Sequence, residues 1–135
     1  MCINCGNCAE ACHFYVQTQD PKYTPAHKLE LMRRSYRREM GPFRWLYKAL
    51  GQDITVRELS AWQELVYDSC TVCGRCSMVC PMGIDIATLI SNARHAWADA
   101  EMVPQELWAS TERAYKEGSP LGATAKVFED RVEWL

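Results

Sequence analysis

The sequence predicts an all-α chain, and three observations carry that prediction. Helix start and stop signals recur along the chain, and apolar residues return at helical spacing between them. No convincing alternating strand pattern and no Asn-Gly hairpin occurs. A chain of 135 residues suits one domain with a modest core, so we expect residues 1–135 to fold as a single domain.

The first predicted helix begins at Thr24-Pro25, which offers a hydroxyl N-cap followed by proline at the first helical position. Gly41-Pro42 ends this helix, and residues 43–50 add a short one. The expected buried stripe of the first helix consists of Leu29, Met32, Tyr36 and Met40.

Three further helices are predicted in the rest of the chain. Thr55–Glu58 is a capping box, and the helix behind it leads to Cys70. Asp85 caps the next helix, Pro104 starts the last, and Gly118 ends it. The expected inward residues are Leu59, Trp62 and Val66; then Ile86, Leu89, Ile90, Ala93 and Trp97; then Leu107, Trp108, Thr111 and Tyr115.

The eight cysteines form two copies of one motif, in residues 2–12 and 70–80, each with the spacing C-x2-C-x2-C-x3-C. This is the spacing of bacterial ferredoxins, in which the fourth cysteine ligates the other iron–sulfur cluster. Backbone N–H groups of such loops point at the cluster, and Gly6 and Gly74 allow close approach. We therefore expect two [4Fe–4S] clusters. The expected ligands are Cys2, Cys5, Cys8 and Cys80 for cluster A, and Cys12, Cys70, Cys73 and Cys76 for cluster B.

Zinc and disulfides are the alternatives for these cysteines. Structural zinc takes two C-x2-C pairs, or cysteine mixed with histidine, and the repeated triple motif differs from both. Secreted disulfide scaffolds are usually shorter and carry a signal peptide, which is not visible here. Thiolates reserved for metal in a reducing compartment are the better interpretation, and we expect a cytoplasmic location.

Charge and hydropathy limit the partners. The formal net charge is −2, with eight Lys/Arg and four Asp/Glu in residues 1–50 against seven and thirteen in residues 51–135. Anionic clusters would make the protein more acidic, so nucleic acid is not an expected partner. No apolar run is long enough to cross a bilayer, so we expect no transmembrane segment of its own.

Several weaker features have two interpretations each. His13 is either a hydrogen-bonding or proton-coupling neighbour of a cluster, or simply a polar residue near it. The arginines of residues 33–38 either dock an acidic partner or anionic lipid, or form a solvated face. Arg75 places positive charge in the second loop and should raise the potential of its cluster.

The tryptophans are expected mostly in the core. Trp134-Leu135 at the end is an exception, because an exposed apolar end invites a partner surface, unless it is frayed. Together with Met1 directly before a ligand, it suggests a subunit of a complex or a fragment of a longer protein.

The two motifs, separated by a helical spacer of residues 13–69, resemble the α-helical ferredoxin domain. That domain occurs in iron–sulfur subunits of succinate dehydrogenase, anaerobic glycerol-3-phosphate dehydrogenase and heterodisulfide reductase. The segments Cys8–Tyr15, Asp20–Pro25, Cys73–Cys76 and Pro81–Ile86 are most similar to heterodisulfide-reductase-like iron–sulfur subunits, including those linked to sulfite reductase and to hydrogenase.

The resemblance implies electron relay inside an oxidoreductase complex, from a membrane quinone-linked, cytochrome b-like subunit or a soluble donor to a catalytic subunit. Larger relatives continue into a catalytic domain with a Cys-Cys pair, and no adjacent cysteines occur here, so disulfide reduction is not carried over. We expect no enzyme activity of its own, because the eight cysteines are all used as ligands. A free soluble dicluster ferredoxin and an iron–sulfur sensor are the alternative functions.

Overall fold

The computed structural model describes residues 2–51 and 53–133. These residues form α-helices and one 3₁₀ turn at Pro21–Tyr23, and no strand occurs among them, so the all-α prediction is confirmed. The helices are α1 (Asn7–Glu10), α2 (His13–Thr18), α3 (Pro25–Lys28), α4 (Glu30–Glu39), α5 (Arg44–Leu50), α6 (Val56–Tyr67), α7 (Arg75–Met78), α8 (Ile86–Asp99), α9 (Gln105–Glu117) and α10 (Ala125–Val132).

The chain divides into two compact units, one up to Ala96 and one from Trp97 onward. The first unit contains both cysteine motifs and the spacer between them. The second contains α9 and α10. The expectation of one domain over residues 1–135 stays a prediction.

Several predicted helix ends are confirmed by their hydrogen bonds. The Thr24 hydroxyl accepts from the His27 N–H at 3.3 Å. Thr55 and Glu58 form the reciprocal capping box at the start of α6. The Asp85 carboxylate accepts from the Thr88 N–H at 3.1 Å at the start of α8. Short side-chain acceptors thus satisfy N–H groups that a helix leaves unpaired in its first turn.

The predicted helix from Thr24 to Met40 is interrupted at Leu29, where α3 ends and α4 begins. The Leu29 N–H bonds the Ala26 carbonyl three residues back, a tighter turn than the α-helix allows. That turn changes the helical phase, and Leu31 is the buried residue of α4. The expected burial of Tyr36 and Met40 is therefore wrong, since both are exposed.

The expected inward face of α9 is also wrong. Leu107, Trp108 and Tyr115 are exposed, by 92% for the tyrosine. A unit of two helices has little opposing surface on which to bury such side chains. Trp45 is exposed as well, so Trp45 and Trp108 depart from the expected burial, whereas Trp97 is buried and Trp62 packs against the core. Met1 and Trp134-Leu135, which suggested an abrupt end, lie outside the described residues.

The core of the first unit lies directly beside the first cysteine motif. Val66 of α6 and Ile90 of α8 are fully buried. Cys8, Ile86 and Ala93 complete this group of buried core residues. The short helix α1 packs against both α7 and α3. The two cysteine motifs are thereby brought together although they lie far apart in sequence.

Candidate metal centre

The two cysteine loops share one backbone conformation. Asn4 and Gly6 in the first loop have φ of 54° and 90°, and Val72 and Gly74 at the equivalent positions of the second loop have 53° and 79°. Left-handed residues placed between right-handed or extended ones turn successive N–H groups toward one side, which makes a concave site for an anion. The repeat in the sequence is thus also a repeat in the backbone.

The positive φ of Gly6 and Gly74 explains why glycine occupies these two positions. A Cβ atom at Gly6 or Gly74 would meet no protein atom within 4 Å, so crowding by the protein does not require glycine there. The positive φ does, because L side chains rarely adopt it. Val72 holds a left-handed conformation with a β-branched side chain, which is a strained arrangement of the kind that collects at functional sites.

Backbone N–H groups donate to the cysteine sulfurs. The Asn4 N–H lies 3.4 Å from the Sγ of Cys2. A bond from the Arg75 N–H lowers the pKa of the Cys73 thiol below its ordinary value. Burial raises the pKa of Cys8, although the Ala26 N–H opposes that rise. Such donors stabilise a negatively charged thiolate where it forms.

The cysteines of both motifs line two cavities of the first unit. Cavity A is lined by Cys2, Cys5, Cys8 and Cys80. Cavity B is lined by Cys12, Cys70, Cys73 and Cys76. Each cavity therefore combines three cysteines of one motif with the last cysteine of the other, and these are the two groups of residues expected from the sequence.

The donor set fits an iron–sulfur cubane in each cavity. A [4Fe–4S] cluster takes one thiolate at each of four separate irons, and four cysteines line each cavity. Within residues 2–51 and 53–133, no three His, Cys, Asp or Glu side chains converge closely enough to hold a single metal ion. The thiols are spread around a space instead of meeting at a point.

The two cavities are neighbours that share a lining residue. Ile86, at the start of α8, lines both of them. The segment before it is held to the second loop, because the Ser77 hydroxyl donates to the Asp85 carboxylate at 2.9 Å and accepts from the Ala87 N–H at 3.0 Å. The start of α8 and the second loop therefore keep a defined position relative to one another.

Two cationic residues that hold carbonyls next to or within the second cysteine motif were missed by the sequence analysis. Lys28 is 2% exposed, lines cavity B, and donates through Nζ to the Ser69 carbonyl. The Arg94 guanidinium donates to the carbonyls of Val66, at 2.7 Å, and of Cys70. No sequence signal distinguishes them, because lysine and arginine are usually exposed and their burial depends on distant residues.

The other residues singled out in the sequence are placed as follows. His13 and Arg75 both line cavity B and are exposed. Within residues 33–38, Arg33 pairs with Glu30, Arg34 with Glu58 at 2.7 Å, and Arg38 with Asp53. Much of the positive charge on this face is thus balanced inside the chain; both interpretations of the face stay open.

A family described as "4Fe-4S dicluster domain" matches residues 1–84. The chain belongs to the 4Fe-4S dicluster domain family. Two [4Fe–4S] clusters are therefore the cofactors of this dicluster domain, and the cluster prediction is confirmed. The all-α, ferredoxin-like fold agrees with this membership.

Two curated relatives match most of this chain. "Hdr-like menaquinol oxidoreductase iron-sulfur subunit 2" of Archaeoglobus fulgidus is 36% identical over 90% of this chain and 22% of the relative. "Hdr-like menaquinol oxidoreductase iron-sulfur subunit" of Archaeoglobus profundus is 31% identical over 98% of this chain and 24% of the relative. The chain thus spans about a quarter of the length of the curated relatives it matches.

These relatives confirm the resemblance to heterodisulfide-reductase-like iron–sulfur subunits. No solved structure matches the chain significantly. Among the described residues, none of the helices has the length and apolar character needed to cross a membrane.

Proposed function

We propose that this dicluster domain relays single electrons within an oxidoreductase complex of the heterodisulfide-reductase-like menaquinol oxidoreductase type. The observation that carries the proposal is the pair of four-cysteine cavities that share the wall at Ile86. Each bound [4Fe–4S] cluster supplies one-electron redox chemistry. The chain positions the two clusters and surrounds them with its own dipoles and charges.

The proposed ligands follow from the lining of the cavities. Cluster A is held by Cys2, Cys5, Cys8 and Cys80, and cluster B by Cys12, Cys70, Cys73 and Cys76. Supporting this set, the first three cysteines of each motif lie in a loop whose N–H groups point at sulfur. Cross-ligation of this kind ties residue 12 to residue 70 and makes folding depend on bound metal.

The proposed partners are other subunits of the complex. Both relatives are named as iron–sulfur subunits of a menaquinol oxidoreductase. We therefore place the chain between a catalytic subunit and a cytochrome b-like membrane subunit, on the cytoplasmic side of the membrane. The chain would have no substrate site of its own, because the eight cysteines serve as ligands and none remains as a nucleophile.

The first test is iron and acid-labile sulfide per chain after anaerobic purification, with EPR of the dithionite-reduced protein. We expect about eight of each and the spectrum of two interacting clusters. About four irons, or zinc in their place, would contradict the proposed ligand sets.

The second test addresses the relay. The full complex is purified from the native source through a tag on this chain, and cluster reduction by a menaquinol analogue is followed by stopped-flow absorbance. Reduction that is lost when the membrane subunit is removed would support the relay. A stable monomer that copurifies with no oxidoreductase subunit would contradict it and favour the alternative, a free soluble dicluster ferredoxin.

A further inference from the structure

The two cavities differ in the charge of their walls. Lys28, Arg75 and His13 line cavity B. Among the described residues that line cavity A, none is Lys, Arg or His. No Asp or Glu appears in either described lining, so carboxylates of the walls do not cancel this difference.

Lys28 occupies a site built around its side chain. Its Nζ donates to the Ser69 carbonyl and lies 5.1 Å from the centre of the Phe14 ring, over the ring face. Its own carbonyl accepts from the Trp62 indole N–H at 2.6 Å. Lys28 as a whole is 2% exposed, and both its ammonium group and its backbone carbonyl are hydrogen-bonded.

Burial of this ammonium needs compensation. Taking a charged group out of water is costly unless an opposite charge or strong hydrogen bonds replace the solvent. Within residues 2–51 and 53–133, no carboxylate forms an ion pair with Lys28, and a carbonyl and a ring face are its partners. An anionic cluster in cavity B would be the missing negative partner.

We propose that Lys28, assisted by Arg75, gives the cluster in cavity B the higher reduction potential of the two. Electrons that enter the dicluster domain would then accumulate on cluster B, with cluster A as the electron donor. In this step one electron passes from cluster A to cluster B, so that cluster A is oxidised and cluster B is reduced, and no bond forms or breaks. The inference rests on the ligand sets of the proposed function.

The physical reason is electrostatic. Reduction adds one negative charge to a cluster, and a fixed positive charge nearby stabilises the reduced form. A buried ammonium is poorly screened, whereas the exposed Arg75 is screened by water and salt. Loss of the Lys28 charge should therefore change the ratio of reduced to oxidised cluster B by about tenfold or more, and loss of the Arg75 charge by less.

The test is an anaerobic redox titration of the full chain, followed by EPR, on wild type and on Lys28→Met, Arg75→Gln and Lys28→Arg. Lys22→Met is the matched control, because Lys22 is a half-exposed lysine that pairs with Glu64 and lines neither cavity. In Lys28→Met we expect the higher midpoint potential to fall by about 59 mV. For a one-electron couple this shift corresponds to about a tenfold change in the ratio of reduced to oxidised cluster.

Arg75→Gln should lower the same midpoint by less, with a shift that shrinks in high salt, and Lys28→Arg should retain the wild-type value. The lower midpoint should stay in place, and Lys22→Met should move neither. A purely structural role for Lys28 would change the unfolding midpoint without this selective shift in potential.

The proposal is overturned if Lys28→Met binds both clusters and leaves the higher midpoint unchanged, or if the lower midpoint moves in its place. If Lys28→Met does not bind both clusters, Arg75→Gln decides, because the Arg75 side chain is exposed and a substitution at such a position usually changes stability by less than about 0.5 kcal/mol. A wild-type protein with fewer than two clusters would refute the proposed ligand sets, an outcome that is read from the iron content and not from the variants.

Discussion

Asn4 and Val72 hold the same left-handed backbone conformation, with φ of 54° and 53°, at equivalent positions of the two cysteine loops. Asparagine tolerates this region, whereas a β-branched residue is strained there. The second loop therefore keeps, at some cost in free energy, the shape that the first loop adopts easily. Part of that cost is offset because Val72 packs against the buried hydrophobic residues of the core.

Replacing Asn4 with valine should introduce the same strain into the first loop. We expect Asn4→Val to lower the free energy of unfolding of the cluster-loaded protein by about 1–2 kcal/mol relative to Asn4→Gly. Neither variant retains the Asn4 amide, so the loss of its contact with Cys2 cancels in the comparison. Anaerobic guanidinium unfolding measures it, and equal stability of the two variants would refute the argument.

The cross-ligation predicts which cysteines act together. Cys80→Ser should abolish the EPR signal that Cys5→Ser abolishes, because both residues line cavity A. Cys12→Ser should abolish the signal that Cys73→Ser abolishes, and each variant should retain about four irons per chain. If Cys80→Ser behaves like Cys73→Ser, each motif holds its own cluster and the proposed ligand sets are wrong.

Arg94 of α8 ties the end of α6 to the first cysteine of the second loop through the carbonyls of Val66 and Cys70. Arg94→Ala removes charged hydrogen bonds and leaves both carbonyls without this donor, which should cost about 2 kcal/mol of unfolding free energy. Arg113→Ala is the control, because that exposed arginine donates to the Pro120 carbonyl at 3.4 Å. The control should cost less than about 0.5 kcal/mol, and equal losses in urea unfolding would contradict the tie.

The capping box at α6 makes a prediction about pH. Hydrogen bonds from the Thr55 N–H and from Arg34 lower the pKa of Glu58 from 4.5 to about 2. A carboxylate with a lowered pKa stabilises the fold above its ordinary pKa, and that stability is lost as the pH falls from 4.5 toward 2.

Glu58→Gln keeps a side chain able to cap while removing the charge. The difference in unfolding free energy between wild type and Glu58→Gln should therefore be constant from about pH 8 to about pH 5, where the carboxylate stays ionised, and should shrink as the pH falls from 4.5 toward 2. Urea unfolding at a series of pH values on both sides of 4.5 measures it. A difference that stays constant below pH 4.5 would show that Glu58 titrates at its ordinary value in the folded protein.

Local sequence signals predicted the helices well where the helix ends are made by neighbouring residues. Thr24, the Thr55–Glu58 box and Asp85 cap helices with their own side chains, so a few residues suffice to predict them. Burial was predicted less well. Tyr36 and Tyr115 follow helical spacing but are exposed, because an apolar stripe is buried only where another element covers it.

The sequence by itself determined the cofactor, because the spacing of the two cysteine motifs matches the spacing that a [4Fe–4S] cubane requires. It also singled out Gly6 and Gly74, but the reason for glycine there, a positive φ, is seen only in the structure. The tertiary structure alone decided that Lys28 is buried beside cavity B. The partners of Lys28 come from residues 14, 62 and 69, and no local pattern encodes contacts between segments so far apart in the chain.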